Sequence, residues 1–465
     1  METPGWKPRL RWGTPLPGLL PPGTTARGEQ QPFVLVAPFL RLALAISLTA
    51  GFGLGAVLAL ALARGIAFGP WWVTLVQVHG RAQLVGFVGL FILAIGLHFL
   101  PRLRGAPLAS ARTARCGLLA LSAGIVVQAV TQSLLLLPWP PFNGPLRVEL
   151  VLGGLLAWAG STLIVVTLVW TLQKGPPLAW RGGLTAILPF LGFGFAALWL
   201  ALLANAALDV QAALANAAAL PAPADSALSD GLLFGFALPM TAAVSARLLP
   251  IYFGVELVAP APLLALFAVL SGGGVLRLAG DVGRQETSFA LGNALLGLFC
   301  FAFPLLSGVP FGARRTIRRS DPPAMVLAFR FPNALIRSAY AWLLVAGLLL
   351  LSDGLGRLAG SPLRWSADAL RHTITAGYLT LLILGMGARL LPGFARQRPR
   401  ARTRLIVVAI AGNLAALCRV LPPLAASVGI FGSLADAAFG FSGMCALVAV
   451  GLFTQIMWPL LSGQR

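Results

Sequence analysis

Apolar runs succeed one another along this chain, each close to the ~17–25 residues that carry a helix across a bilayer. They fall at 37–62, 77–101, 116–137, 148–172, 184–206 and 228–250, then at 262–278, 289–306, 335–351, 369–392, 405–424 and 435–461. Inside a bilayer each backbone amide has to find its partner within the segment or a neighbouring strand, so runs of this length dictate helices. Composition points the same way, since hydrophobic residues make up 58% of the 465 residues and charged residues 10%, too few to cover a water-soluble particle. The expected fold is all-α, a polytopic membrane protein with about 12 transmembrane helices in a single membrane domain, residues 36–461. Residues 1–35, rich in Pro, Gly and Arg, read as a cytoplasmic arm; no apolar stretch there resembles the core of a signal peptide.

A net charge of +21 would suit nucleic acid, but its distribution excludes that partner. With an even number of spans both termini share one side. That side receives 25 of the 34 Lys and Arg residues, including the clusters Arg314–Arg319 and Arg396–Arg404, leaving 9 for the opposite side (34 − 25). The opposite side also holds 9 of the 13 acids, among them Asp209, Asp225 and Asp230 in or beside an Arg-free 206–227 segment that reads as an exterior loop. Such asymmetry follows the positive-inside rule and places both termini in the cytoplasm, with the basic face meeting anionic lipid.

Three stretches resemble one another: GFVGLFILAIGLHFLPRL from Gly86, GFALPMTAAVSARLLPIY from Gly235 and GYLTLLILGMGARLLPGF from Gly377. Each opens on Gly-aromatic, closes on Leu-Pro, and sets His98, Arg247 or Arg389 three residues before the proline. Pro101, Pro250 and Pro392 are 149 and 142 residues apart (250 − 101 and 392 − 250), an interval that holds four spans. Three four-helix pseudo-repeats are therefore expected, at about 36–172, 184–306 and 335–461, with spans 2, 6 and 10 equivalent. Arg247 and Arg389 are expected to anchor at the headgroups, and His98 takes their place in the first unit.

The other two histidines stand at the far ends of equivalent helices. His79 lies 22 residues before its proline (101 − 79) and His372 lies 20 before its own (392 − 372). An ionisable side chain inside a span points to function. Two imidazoles at one depth are suited to holding a haem iron, the alternative being that each caps a helix or bonds a carbonyl.

HGRAQLVGFVGLFILAIGLHFLPRL, ALPMTAAVSARLLPIYFG and RHTITAGYLTLLILGMGARLLPGFAR resemble the signature helices of the NnrS family, bacterial membrane proteins associated with haem, copper and the response to nitric oxide. The twelve-span layout is also similar to subunit I, the catalytic subunit, of haem–copper oxidases and nitric-oxide reductases, where one histidine on span 2 and one on span 10 hold a low-spin haem. The resemblance implies that His79 and His372 are the axial ligands of a b-type haem, with Arg81 and Arg371 beside them for its propionates and Arg277, Arg284 and Arg364 as weaker candidates.

Departures from that pattern matter equally. The enzymes use six histidines, three of them on spans 6 and 7, whereas this chain has three in all and none on those spans, so no binuclear oxygen- or nitric-oxide-reducing centre is expected. Relatives carry a second histidine where Arg81 stands, which removes a further ligand. Met240, Met386, Cys418 and Cys445 are soft but unpaired by helical spacing, so no copper site is expected, and Cys116, Cys300, Cys418 and Cys445 read as structural thiols. The favoured function is a haem-binding membrane protein of nitrosative-stress tolerance, meeting nitric oxide, a redox partner or quinol, and not a turnover enzyme. A transporter without haem, suggested by the glycine-broken SGGGVLRLAGD of span 7, and a quinol-linked electron-transfer subunit are the alternatives.

Overall fold

A computed structural model describes residues 31–137, 140–175, 184–310, 323–397 and 402–463. Residues 1–30 of the expected arm and the arginines at 314–319, 398 and 400 lie outside the described residues. Among the described residues, 12 helices are long and apolar enough to cross a membrane. They are α1 (Phe33–Ala63), α2 (Trp71–Arg104), α3 (Ala111–Leu134), α4 (Pro141–Lys174), α5 (Leu188–Leu214) and α6 (Ala222–Phe253). α7 (Pro260–Gly283), α8 (Glu286–Ser307), α9 (Leu327–Leu358), α10 (Ala367–Phe394), α11 (Thr403–Ser427) and α12 (Ser433–Ser462) complete them.

Helices α2, α6 and α10 occupy the centre. Their most apolar stretches are 78%, 89% and 78% buried, against at most 56% for any other helix. The rest pack around them largely as neighbours in sequence, α3 on α4, α7 on α8, α8 on α9 and α11 on α12, and α12 returns onto α1. Glycine allows several of these pairs to approach closely, as lipid-immersed helices require when no hydrophobic effect drives them together. A Cβ at Gly160 would collide with the backbone nitrogen of Leu121 across the α3–α4 contact, and one at Gly443 with Ala56 across α12–α1.

Four helices contain a π-helical stretch, Ser47–Gly51 in α1, Ala82–Gly89 in α2, Gly231–Ala237 in α6 and Thr373–Thr380 in α10. The three central ones begin 19 residues before the prolines Pro101, Pro250 and Pro392 (101 − 82, 250 − 231, 392 − 373). Such bulges interrupt the regular ladder and frequently mark functional sites. At the other end, α2 and α6 stop on Gly105 (φ 64°) and Gly254 (φ 66°), whose left-handed conformation closes the last turn.

Several helices outrun the apolar runs that announced them. The 206–227 segment, read as a loop, is mostly helical, and only 215–221 lies between α5 and α6. Its polar residues do not end α5 because Asp209, 1% exposed, accepts from Gln128 Nε2 at 2.5 Å and Asn205 Nδ2 at 2.9 Å. The glycines of SGGGVLRLAGD also leave α7 unbroken, since Gly273 packs on Leu295 and Leu296 of α8. Arg389 bonds Asn333 Oδ1 at 2.6 Å and lies between the rings of Tyr252 (4.4 Å) and Phe329 (4.3 Å). Ring faces and an amide oxygen replace the water that a guanidinium would otherwise seek.

Candidate functional site

The π-helical turn of α1 sets up the site. At Gly51 the backbone leaves helical geometry (φ −79°, ψ −109°), turning its carbonyl away from the α-helical ladder. His79 Nδ1 lies 2.9 Å from that oxygen. A carbonyl oxygen can only accept, so Nδ1 carries the proton and Nε2 keeps a free lone pair. One turn on, Gly55 makes room for the ring, because a Cβ there would sit 2.6 Å from His79 Cε1. In α10, His372 Nδ1 donates to the Asp368 carbonyl at 2.9 Å and has Asp368 Oδ1 at 3.2 Å. The same logic leaves its Nε2 for a ligand.

Both rings line one cavity of about 550 Å³, within the roughly 300–1,000 Å³ of ordinary cofactor pockets. Its apolar walls come from α1, α2 and α12, with Phe52, Val88 and Phe439 among them, and Gly80 leaves open space where a Cβ would stand. Its polar side is formed by Asp368, Arg371 and Arg419. Arg419 Nη2 bonds Asp368 Oδ1 at 2.7 Å and its guanidinium rests 4.2 Å from the Phe439 ring centre. Arg371 Nη2 donates to Ser226 Oγ at 2.6 Å and approaches Asp230 Oδ1 at 3.4 Å. Yet Arg371 Nε and Arg419 Nε are buried with no protein acceptor. Donors so left are costly unless a ligand serves them. The set of two imidazole nitrogens and two guanidinium groups around an apolar slot can take a flat ligand with a Lewis-acidic centre and an acidic edge.

The other residues singled out in the sequence are distributed differently. Arg81 faces a second, smaller cavity, where Nη1 donates to Gln132 Oε1 at 3.0 Å. Arg277 is buried and does not line that cavity, held by Asp230 Oδ2 at 2.8 Å and by Asn293 Oδ1. Arg364 lies 3.9 Å from the exposed Glu286, and Arg284 forms the turn between α7 and α8 with φ 53°. His98, at the opposite end of α2, is buried with its ring 4.0 Å from that of Phe394. Among the described residues no group of three or more His, Cys, Asp or Glu comes together as a metal site. Arg419 went unnoticed in the sequence although a cation inside the 405–424 run is itself a signal.

A search of curated proteins gave no match for the chain. A family model described as NnrS protein matches residues 324–465. That segment runs from α9 to α12 and carries Asp368, Arg371, His372 and Arg419 but not His79.

Proposed function

We propose that this chain is an NnrS-like membrane protein that binds a b-type haem between His79 and His372 and serves in nitric-oxide response and nitrosative-stress tolerance. The observation that carries the reading is the pair of imidazoles, each with Nδ1 committed to a backbone carbonyl, bordering one porphyrin-sized cavity. Arg371 and Arg419, with buried N–H groups lacking acceptors, would receive the propionates. A haem in this site supplies a reversible one-electron iron couple. The residues around it fix the ring tautomers, hold the acidic edge and exclude water. The nitric-oxide role is supported by the family match over the last third of the chain.

The three-unit architecture belongs to the same proposal. Its support is the common register of the π-helical stretches in α2, α6 and α10 and the central burial of those helices. Cytoplasmic termini are supported by the 25-to-9 partition of cations.

Absorption spectroscopy of the purified protein tests the haem. A six-coordinate, bis-imidazole spectrum is expected, with His79→Ala and His372→Ala each losing the haem or turning five-coordinate. Protein purified from haem-replete cells without a Soret band would overturn the proposal.

A further inference from the structure

Two buried charge networks flank the central helices, and they differ in one respect. In the first, Asp230 of α6, Arg277 of α7, Asn293 of α8 and Asp353 and Arg357 of α9 are joined so that no side-chain N or O among these five is buried without a partner. In the second, Asp209 of α5 and Arg81 of α2 face each other at 3.8 Å, beyond hydrogen-bond reach. There Asp209 Oδ1, Arg81 Nε and Arg81 Nη2 are all buried with no hydrogen-bond partner.

Beside this gap lies a cavity of about 30 Å³, room for two or three waters by the ~10–15 Å³ each requires. Three of its lining side chains, Arg81, Gln128 and Asn205, touch Asp209. A water seated in the cavity beside this gap can bond the unserved groups that border it. Asp225 lines both this cavity and the larger one between the histidines.

We infer that the small cavity lined by Arg81, Gln128 and Asn205, together with the Asp209 carboxylate that these three side chains contact, is a hydrated proton site, in which Asp209 reversibly binds one proton delivered through bridging water, with Asp225 linking it to the histidine cavity. On uptake an O–H bond forms at Asp209 and one breaks in a hydrated proton, whose water stays behind, so no other reactant is needed. Charged groups facing the site are Arg81 from α2 and, across the same guanidinium, Asp225 from α6 with Arg371 beyond it. From α3 and α4 Asp209 meets the uncharged Gln128 and Gly154. A buried carboxylate with an incomplete hydrogen-bond set is suited to exchange a proton in a way that the fully paired Asp230–Asp353 network is not. The inference stands whether or not a haem fills the neighbouring cavity.

Infrared difference spectra of the full-length protein in nanodiscs, recorded between acidic and alkaline buffer, test it without haem. A protonated-carboxyl band is expected to appear on acidification, to vanish in Asp209→Asn and to return at a shifted frequency in Asp209→Glu. Asp225→Leu should keep the band but slow its hydrogen–deuterium exchange at least tenfold. The amide of Asp209→Asn preserves shape; if that variant fails to fold, the frequency shift in Asp209→Glu still identifies the group. A band unchanged in Asp209→Asn, unshifted in Asp209→Glu, or absent from the unaltered protein overturns the proton site, and unaltered exchange in Asp225→Leu overturns the link.

Discussion

Gly55 illustrates how one atom governs the candidate site. A Cβ at this position meets only the tip of the His79 ring, at 2.6 Å, so the clash can be relieved by turning the ring instead of moving the backbone. Gly55→Ala should therefore fold normally but break the His79–Gly51 hydrogen bond and lower haem occupancy, read as the haem-to-protein absorbance ratio at unchanged melting temperature. Full occupancy would mean that the ring orientation set by Gly51 is immaterial. His98→Ala should leave any haem spectrum untouched, because 19 residues (98 − 79) at ~1.5 Å rise separate it from His79 by about 28 Å along α2. The two candidate ligands were legible from sequence because an imidazole in an apolar run is conspicuous and both share a register from Leu-Pro. The carbonyl of Gly51 was not legible, since a π-helical turn rearranges the backbone without leaving a residue-type signature.

At the scale of elements, apolar run length identified every span but not its ends. The runs were cut where polar residues begin, whereas the helices continue as long as those polar groups find partners. Thus α9, expected to stop at 351, reaches Leu358 because Asp353 accepts from Arg357 Nε at 2.6 Å and from Asn293. Close pairing of helices was equally hidden, since a lipid-facing glycine and an interfacial one look alike in sequence. Gly160 and Gly192 separate the two cases. Gly160→Ala forces α3 and α4 apart and should cost about 1–3 kcal/mol as an overpacked contact. Gly192→Ala points into open space and should be neutral or stabilising by up to ~1 kcal/mol. Thermal or SDS-induced unfolding in detergent measures both; equal stability of the two variants would refute the packing argument.

For the whole molecule, charge partition and metal inventory make separate predictions. A reporter fused after Arg404 should report cytoplasm, and one inserted at 215–221, the short connection between α5 and α6, should report the exterior; reversed results at both would overturn the orientation. If His79 and His372 both hold the iron as proposed, nitric oxide would reach it only by displacing an imidazole whose Nδ1 is already fixed to a backbone carbonyl. Pairing two nitric-oxide molecules, or holding the oxygen that leaves, would require a second metal close by. The helices that face the centre beyond α2 and α10 offer little for one: α6 contributes Thr241, Ser245 and Met240 and α7 contributes no histidine, while Tyr340 and Tyr378 fill the adjoining interior with rings 5.7 Å apart. Reduced protein mixed anaerobically with nitric oxide should therefore show slow, at most stoichiometric binding and no sustained nitrous-oxide release. Multiple turnovers dependent on both His79 and His372 would contradict this and demand a second metal ligated by residues other than histidine.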